Sequence, residues 1–92
     1  MTRDAAEGLA IQALTYIAGD AEQLGRFLAV TGIGPTEIRA AAREPAFLAG
    51  VLDYLSSDEP LLTAFAAKAQ IDPASIETAR AALGSAWERD HA

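Results

Sequence analysis

The stretch Phe27-Leu-Ala-Val-Thr-Gly-Ile-Gly-Pro-Thr-Glu-Ile38 constrains the fold more than any other part of the chain. A helical pattern with Phe27 and Leu28 on its apolar face runs into a glycine, an isoleucine, a second glycine and a proline. Gly32 can take the left-handed conformation that ends a helix, and Pro35 has no N–H to leave unpaired in the first turn of the next one. The spacing predicts a stop at Gly32, a restart at Pro35, and Ile33 pinned between the two helices. A chain punctuated in this way, dominated by Ala and Leu with few Val, folds as helices.

The other segments follow from the same punctuation. Asp4-Ala-Ala-Glu7 fits a capping box ahead of apolar positions 6, 9, 10, 13, 14, 16 and 17, which predicts a first helix ending near Ala18. Gly19-Asp20 supplies a stop and a new N-cap, and Gln23 stands where it completes a second box. The second helix places Leu24, Phe27, Leu28 and Thr31 on one face. A short third helix, about Pro35 to Arg43, buries Ile38 and Ala41 or Ala42, and Pro45 disfavours helix at Glu44. The fourth helix starts at Pro45 and carries Phe47, Val51, Tyr54 and Leu55, with Leu48 beside them. Ser56-Ser57-Asp58 is a turn and cap before a fifth helix bearing Leu61, Leu62, Phe65, Ala66 and Ala69. Asp72 caps a sixth helix with Pro73 at its first position, and Ile76, Ala79 and Leu83 form its stripe. Gly84 is a natural stop, yet Trp87 lies eleven residues beyond Ile76 on the same face, so the pattern fits a helix ending at Gly84 and one running through it.

A shift of 38 residues brings this punctuation into register. Leu14, Tyr16, Asp20, Leu24, Phe27, Ala29, Ile33, Pro35, Ile38 and Ala41 fall on Leu52, Tyr54, Asp58, Leu62, Phe65, Ala67, Ile71, Pro73, Ile76 and Ala79. These are ten identities over the 28 pairs from Leu14 to Ala41, and they fall on stripe, cap and proline positions. The expected architecture is all-α: one domain over residues 1–92, a small orthogonal bundle of five or six helices. Within it, about 9–42 and 47–80 form a pseudo-two-fold pair of three-helix units, and 85–92 is a candidate frayed tail.

The chain has no cysteine, which removes disulfides and thiolate chemistry, and no apolar run approaches the ~18 residues of a membrane span. No apolar signal core precedes the first helical pattern, so a cytoplasmic protein is expected. A formal charge of −6 repels phosphate backbones and anionic membranes, and favours a basic partner over nucleic acid.

The segments Leu24-Gly-Arg-Phe-Leu-Ala-Val-Thr-Gly-Ile-Gly-Pro-Thr-Glu-Ile-Arg39 and Pro45-Ala-Phe-Leu-Ala-Gly-Val-Leu-Asp-Tyr-Leu-Ser-Ser-Asp-Glu-Pro-Leu-Leu62 resemble a small bacterial family, the domain of unknown function 3572. The resemblance spans about Ala6 to Ala82, with the tail after Gly84 outside it. It implies a short, all-helical, cytoplasmic bacterial protein, and it carries no catalytic, binding or cofactor residues over to this chain.

Chemistry-bearing residues are sparse. His91 is the only histidine and has no second nitrogen or sulfur ligand to join it at a metal, so no metal or cofactor is expected. Lys68 fits a solvated helix face. Gly32-Ile33-Gly34 lacks the third glycine of a dinucleotide loop, since position 37 is glutamate. The same turn is half of a helix-turn-helix: Gly32, Ile33 and Ile38 match, but Leu28 stands where a small residue is needed, and Thr36 to Arg43 offers only Arg39 and Arg43 to DNA. Tyr16 and Tyr54 occupy equivalent places in the two copies, with rings in the core and hydroxyls at its margin, or with a ligand pocket between them.

Asp53, Asp58 and Glu59 mark the corner between the fourth and fifth helices, in the more acidic half: residues 47–80 carry a net −3 against −1 for 9–42. Helix caps and dipole-favourable charges explain these carboxylates; so does an acid/base pair, an oxygen-ligand site, or a dock for a basic segment of a partner protein. The function expected is a non-enzymatic protein–protein interaction module with Asp53, Asp58 and Glu59 as its binding residues. The alternatives are a helix-turn-helix-like nucleic-acid binder and a small-ligand binder or enzyme.

Overall fold

In the computed structural model, alternating steps of three and one place Ala6, Leu9, Ala10, Ala13, Leu14 and Ile17 on one buried side of α1 (Arg3–Ala18). Half of these residues are alanines, so neighbouring helices can approach α1 closely. The chain continues through α2 (Ala21–Thr31), α3 (Ile38–Ala41), α4 (Pro45–Ser56), α5 (Glu59–Ala69) and α6 (Ala74–His91). The structure describes the backbone of residues 1–91 and the side chains of 1–84, among which there is no strand. The side chains of Trp87 and His91, and those of the expected tail 85–92, lie outside the described residues.

The core is a three-helix stack. The most extensive packing joins α4 to α6, and α1 lies against both. Leu48, Val51, Leu52 and Leu55 of α4 meet Ile76, Ala79 and Leu83 of α6. The expected α4 stripe is therefore rotated: Leu48 and Leu52 are buried, whereas Phe47 and Tyr54 are half-buried and turn towards α2. α2 leans on α1, and α5 leans on α4. Phe27 is the only buried residue of α2, and its ring meets those of Phe47 (centroids 5.8 Å apart) and Tyr54 (5.2 Å) edge-on. Such edge-to-face pairs contribute about 0.5–1.5 kcal/mol beyond the area they bury.

Local signals fix most helix ends. Asp20 accepts from the Glu22 and Gln23 amides, Asp58 from that of Leu61, and Asp72 from that of Ala74, which leaves Pro73 just outside α6. Gly32 adopts φ 74° and donates to the Leu28 carbonyl, closing α2 as its sequence predicts. Glu44 is extended and Pro45 opens α4. α6 runs through Gly84 rather than ending there.

Four local expectations are corrected. α1 begins at Arg3 with Thr2 as its cap, the Thr2 hydroxyl accepting from the Ala5 amide at 3.1 Å. Asp4 thus falls inside the first turn, and Glu7 pairs with Arg3 at 3.3 Å instead of closing a box. Gln23 does not complete the Asp20 box, because its Oε1 accepts from the Tyr54 hydroxyl at 3.3 Å while the Asp20 amide donates to Ile17. The third helix shrinks to the single turn Ile38–Ala41, with Pro35–Glu37 forming a turn before it. With no helix starting at Pro35, Ile33 has nothing to be pinned against; it is half-buried and lies outside the core cluster.

Several features recur at the 38-residue offset. α2 and α5 occupy equivalent ranges, α1 and α4 end at equivalent residues, and the two left-handed positions are Gly32 and Gln70 (φ 57°). Aromatic contacts cross between the halves: Tyr16 meets Phe65 at 5.4 Å, and the counterpart Tyr54 meets Phe27 at 5.2 Å. Reciprocal contact of this kind is what a two-fold relation between like units generates. The correspondence is incomplete, since α3 is one turn whereas its counterpart, 76–79, is embedded in the 18-residue α6.

Two outcomes are expected in chemical denaturation. Phe27→Ala and Phe65→Ala should each destabilise the fold by roughly 3–5 kcal/mol, with a loss under about 1 kcal/mol for either arguing against a shared core. At the left-handed pair, a Cβ on Gly32 would touch nothing within 4 Å, so Gly32→Ala should cost about 1 kcal/mol from conformation alone. Gln70→Gly should be neutral to stabilising by up to ~1 kcal/mol.

Candidate functional site

Tyr16 and Phe65 form the floor of an open groove of about 970 Å³ between α1, the α1–α2 turn, α2 and α5. Leu61, Ala64 and Pro60 continue the apolar lining along α5, and Ile11, 46% exposed, forms the rim on α1. Polar groups stand around this floor: Gln12, Thr15 and Gln23, the capping carboxylates Asp20 and Asp58, and the cations Arg26 and Lys68. Arg26 is held by Glu22 at 2.9 Å. Lys68 makes no ion pair among the described residues, and its ammonium stands 5.9 Å from the centre of the Tyr16 ring, within cation–π range.

A shallower depression of about 540 Å³ adjoins it, lined by Ala29 and Val30 of α2, Tyr54 and Ser57, and Glu59 of α5, and sharing Arg26, Asp58 and Pro60 with the groove. Tyr16 lines the first and Tyr54 the second, so a single pocket between the two tyrosines does not form.

The three carboxylates at the α4–α5 corner have divergent roles. Asp53 receives Arg80 of α6 at 3.4 Å and ties α4 to α6. Asp58 caps α5 and lines both depressions, whereas Glu59 is exposed in the first turn of α5. No group of three metal-ligating side chains gathers among the described residues. Arg39 and Arg43 are exposed beside a one-turn α3, which is too short to lie in a major groove as a recognition helix. No described helix is long and apolar enough to cross a membrane.

A family model, "Protein of unknown function (DUF3572)", matches residues 3–86. The chain belongs to that family. The match extends past Gly84, farther than the residues that carried the resemblance, and it takes in every element that lines the groove. No curated protein and no solved structure matches the chain.

Two groove residues were not singled out by sequence reasoning as binding residues. Lys68 passed as a solvated charge, and Gln23 as a cap partner. The signal lay in the 38-residue comparison, where Lys68 replaces Val30 and Leu61 replaces Gln23.

Glu77 and Arg80 form an ion pair within α6, and Arg80 also reaches Asp53 of α4. Hydrogen bonds from the Arg80 guanidinium hold the exposed Glu77 carboxyl below its ordinary value. A carboxyl depressed in the folded state stabilises the fold above its unfolded pKa and loses that contribution as pH falls through the folded value. In urea unfolding, Glu77→Gln should therefore be slightly less stable than the parent near neutral pH. The gap should close as pH falls through the lowered folded-state value; a gap unchanged throughout acid titration would exclude the ion pair as its source.

Proposed function

We propose that this protein is a non-enzymatic protein–protein interaction module that receives its partner in the groove between α1, α2 and α5. One observation carries the proposal: exposed Ile11, Pro60 and Ala64 surround the half-buried Tyr16 ring, over the buried Leu61 and Phe65, and give an apolar lining with a polar and charged rim. An apolar centre with a polar surround is the usual anatomy of a protein-binding patch. No polar or charged side chain is fully buried among the described residues, which favours an exposed docking surface over an enclosed site built around inward-facing polar groups.

The α4–α5 corner supports this proposal less well. A basic segment docking there would compete with Arg80 for Asp53 and with a helix amide for Asp58, leaving Glu59 as the uncommitted carboxylate. The net charge of −6 and the one-turn α3 likewise favour a protein partner over nucleic acid.

Site-specific photocrosslinking tests the proposal. A photoreactive residue at exposed Ala64, on the groove wall, should trap a discrete protein in cells that make this chain, and one at exposed Thr78 of α6 should not. Ile11→Asp, which charges the rim without disturbing the core, should abolish the product from Ala64. Equal products from both positions, no product from Ala64, or no effect of Ile11→Asp would reject the groove as the interface.

A further inference from the structure

The two depressions, compared across the 38-residue offset, differ in a way that indicates what the larger one accepts. Around Tyr54 the polar requirements are met internally: its hydroxyl donates to Gln23 Oε1 at 3.3 Å, and the position equivalent to Lys68 is Val30. Around Tyr16 both features are reversed. Leu61 stands where Gln23 does and offers no acceptor, and among the described residues the Tyr16 hydroxyl has no partner. Lys68 brings an ammonium without an ion pair over the same ring, 5.9 Å from its centre. The other charges of the groove are committed: Arg26 to Glu22, Asp20 to the amides opening α2, and Asp58 to the amide of Leu61. Two adjacent donors, one of them cationic, therefore stand open beside an apolar floor.

We infer that the groove docks an amphipathic helix of a partner protein, its apolar face on Ile11, Tyr16, Pro60 and Ala64 and one flanking carboxylate on Lys68 and the Tyr16 hydroxyl. This rests on the groove being the interface, as proposed above. The carboxylate follows from complementarity to the two unused donors, since a carboxylate accepts from both an ammonium and a phenol. The helix follows from the walls. No described strand offers an edge for β-addition, whereas a trough between helices is the setting in which an amphipathic helix lays down its apolar stripe. Because the chain as a whole carries −6, the rest of the docking helix is neutral or basic, and the single carboxylate fixes its register.

The test uses the full chain and three synthetic leucine-rich amphipathic helices of about 16 residues, roughly four turns. They are identical except for Glu, Gln or Lys at one position beside the apolar stripe. Titrations followed by NMR should shift signals of Tyr16, Leu61, Phe65 and Lys68, and the Glu peptide should bind about tenfold more tightly than the Gln peptide, with the Lys peptide weakest. Lys68→Glu should invert this order and Lys68→Arg should keep it. Tyr16→Phe, which preserves the ring on Phe65, should weaken the Glu peptide severalfold and the Gln peptide, whose amide oxygen is the weaker acceptor, by less. Groove shifts with equal affinity for all three peptides would overturn the carboxylate while leaving the groove as the interface. Shifts confined to other surfaces, or no binding by any peptide, would overturn both. Octanoate is the last arm: Lys68-dependent saturation of the groove by octanoate, with no peptide competing, would assign it to a small amphiphilic acid and overturn the helix.

Discussion

The position of α2 depends on one ring. Phe27 is the only buried residue of that helix, and it is clamped edge-on between Phe47 and Tyr54 of α4. The rest of α2 is polar, small or half-exposed, so little else resists its detachment. Its caps, Asp20 at one end and Gly32 at the other, fix where it starts and stops but not where it lies. Because Gln23 and Arg26 reach the groove from this helix, the groove inherits its geometry from an aromatic contact one turn along α2 from Gln23.

The crossed pairs, Tyr16 with Phe65 and Tyr54 with Phe27, give this arrangement a second consequence. Each tyrosine is anchored by a phenylalanine from the other half, so neither half completes its own aromatic packing. Ala10, Ala13, Leu14, Ile17 and Phe27 share burial with Leu48, Val51, Leu52, Leu55 and Phe65, whereas Ile76, Ala79 and Leu83 are buried and Ile38, Ala41 and Pro45 are not. The Tyr54 hydroxyl is satisfied by Gln23, whereas the equivalent partner for Tyr16 is Leu61. A chain whose packing positions are held by mutual dependence can vary such exposed neighbours at small cost to stability, because surface substitutions usually shift it by under about 0.5 kcal/mol. The Lys68–Val30 difference is of this kind.

At the α4–α6 seam and the corner beside it, carboxylates that are neighbours in sequence take separate partners. Asp53, Asp58 and Glu59 are close in the chain and give its second half the larger negative charge. In the fold they diverge, because Arg80, 27 residues after Asp53, is brought beside it by the packing of α6 on α4. Charge density along a chain does not state which charges will find partners across an interface between helices.

The sequence by itself determined the helical class, the breaks at Gly19-Asp20, Gly32, Glu44, Ser57 and Gln70-Pro73, and the apolar stripes of α1 and α6. These are local properties: caps, left-handed turns and 3.6-residue periodicity act within a turn or two of their own residues. What the sequence left open was which partner each capping or turn residue takes. Thr2 caps α1 in place of Asp4, Gln23 serves Tyr54 in place of Asp20, and Pro35 opens a turn in place of a helix. The first of these was settled by competition within one turn of backbone; the second by a hydroxyl 31 residues away. The groove belongs to the same class, since Lys68 and Tyr16 meet only because α5 and α1 pack on either side of a shared core, and no spacing along the chain encodes that meeting.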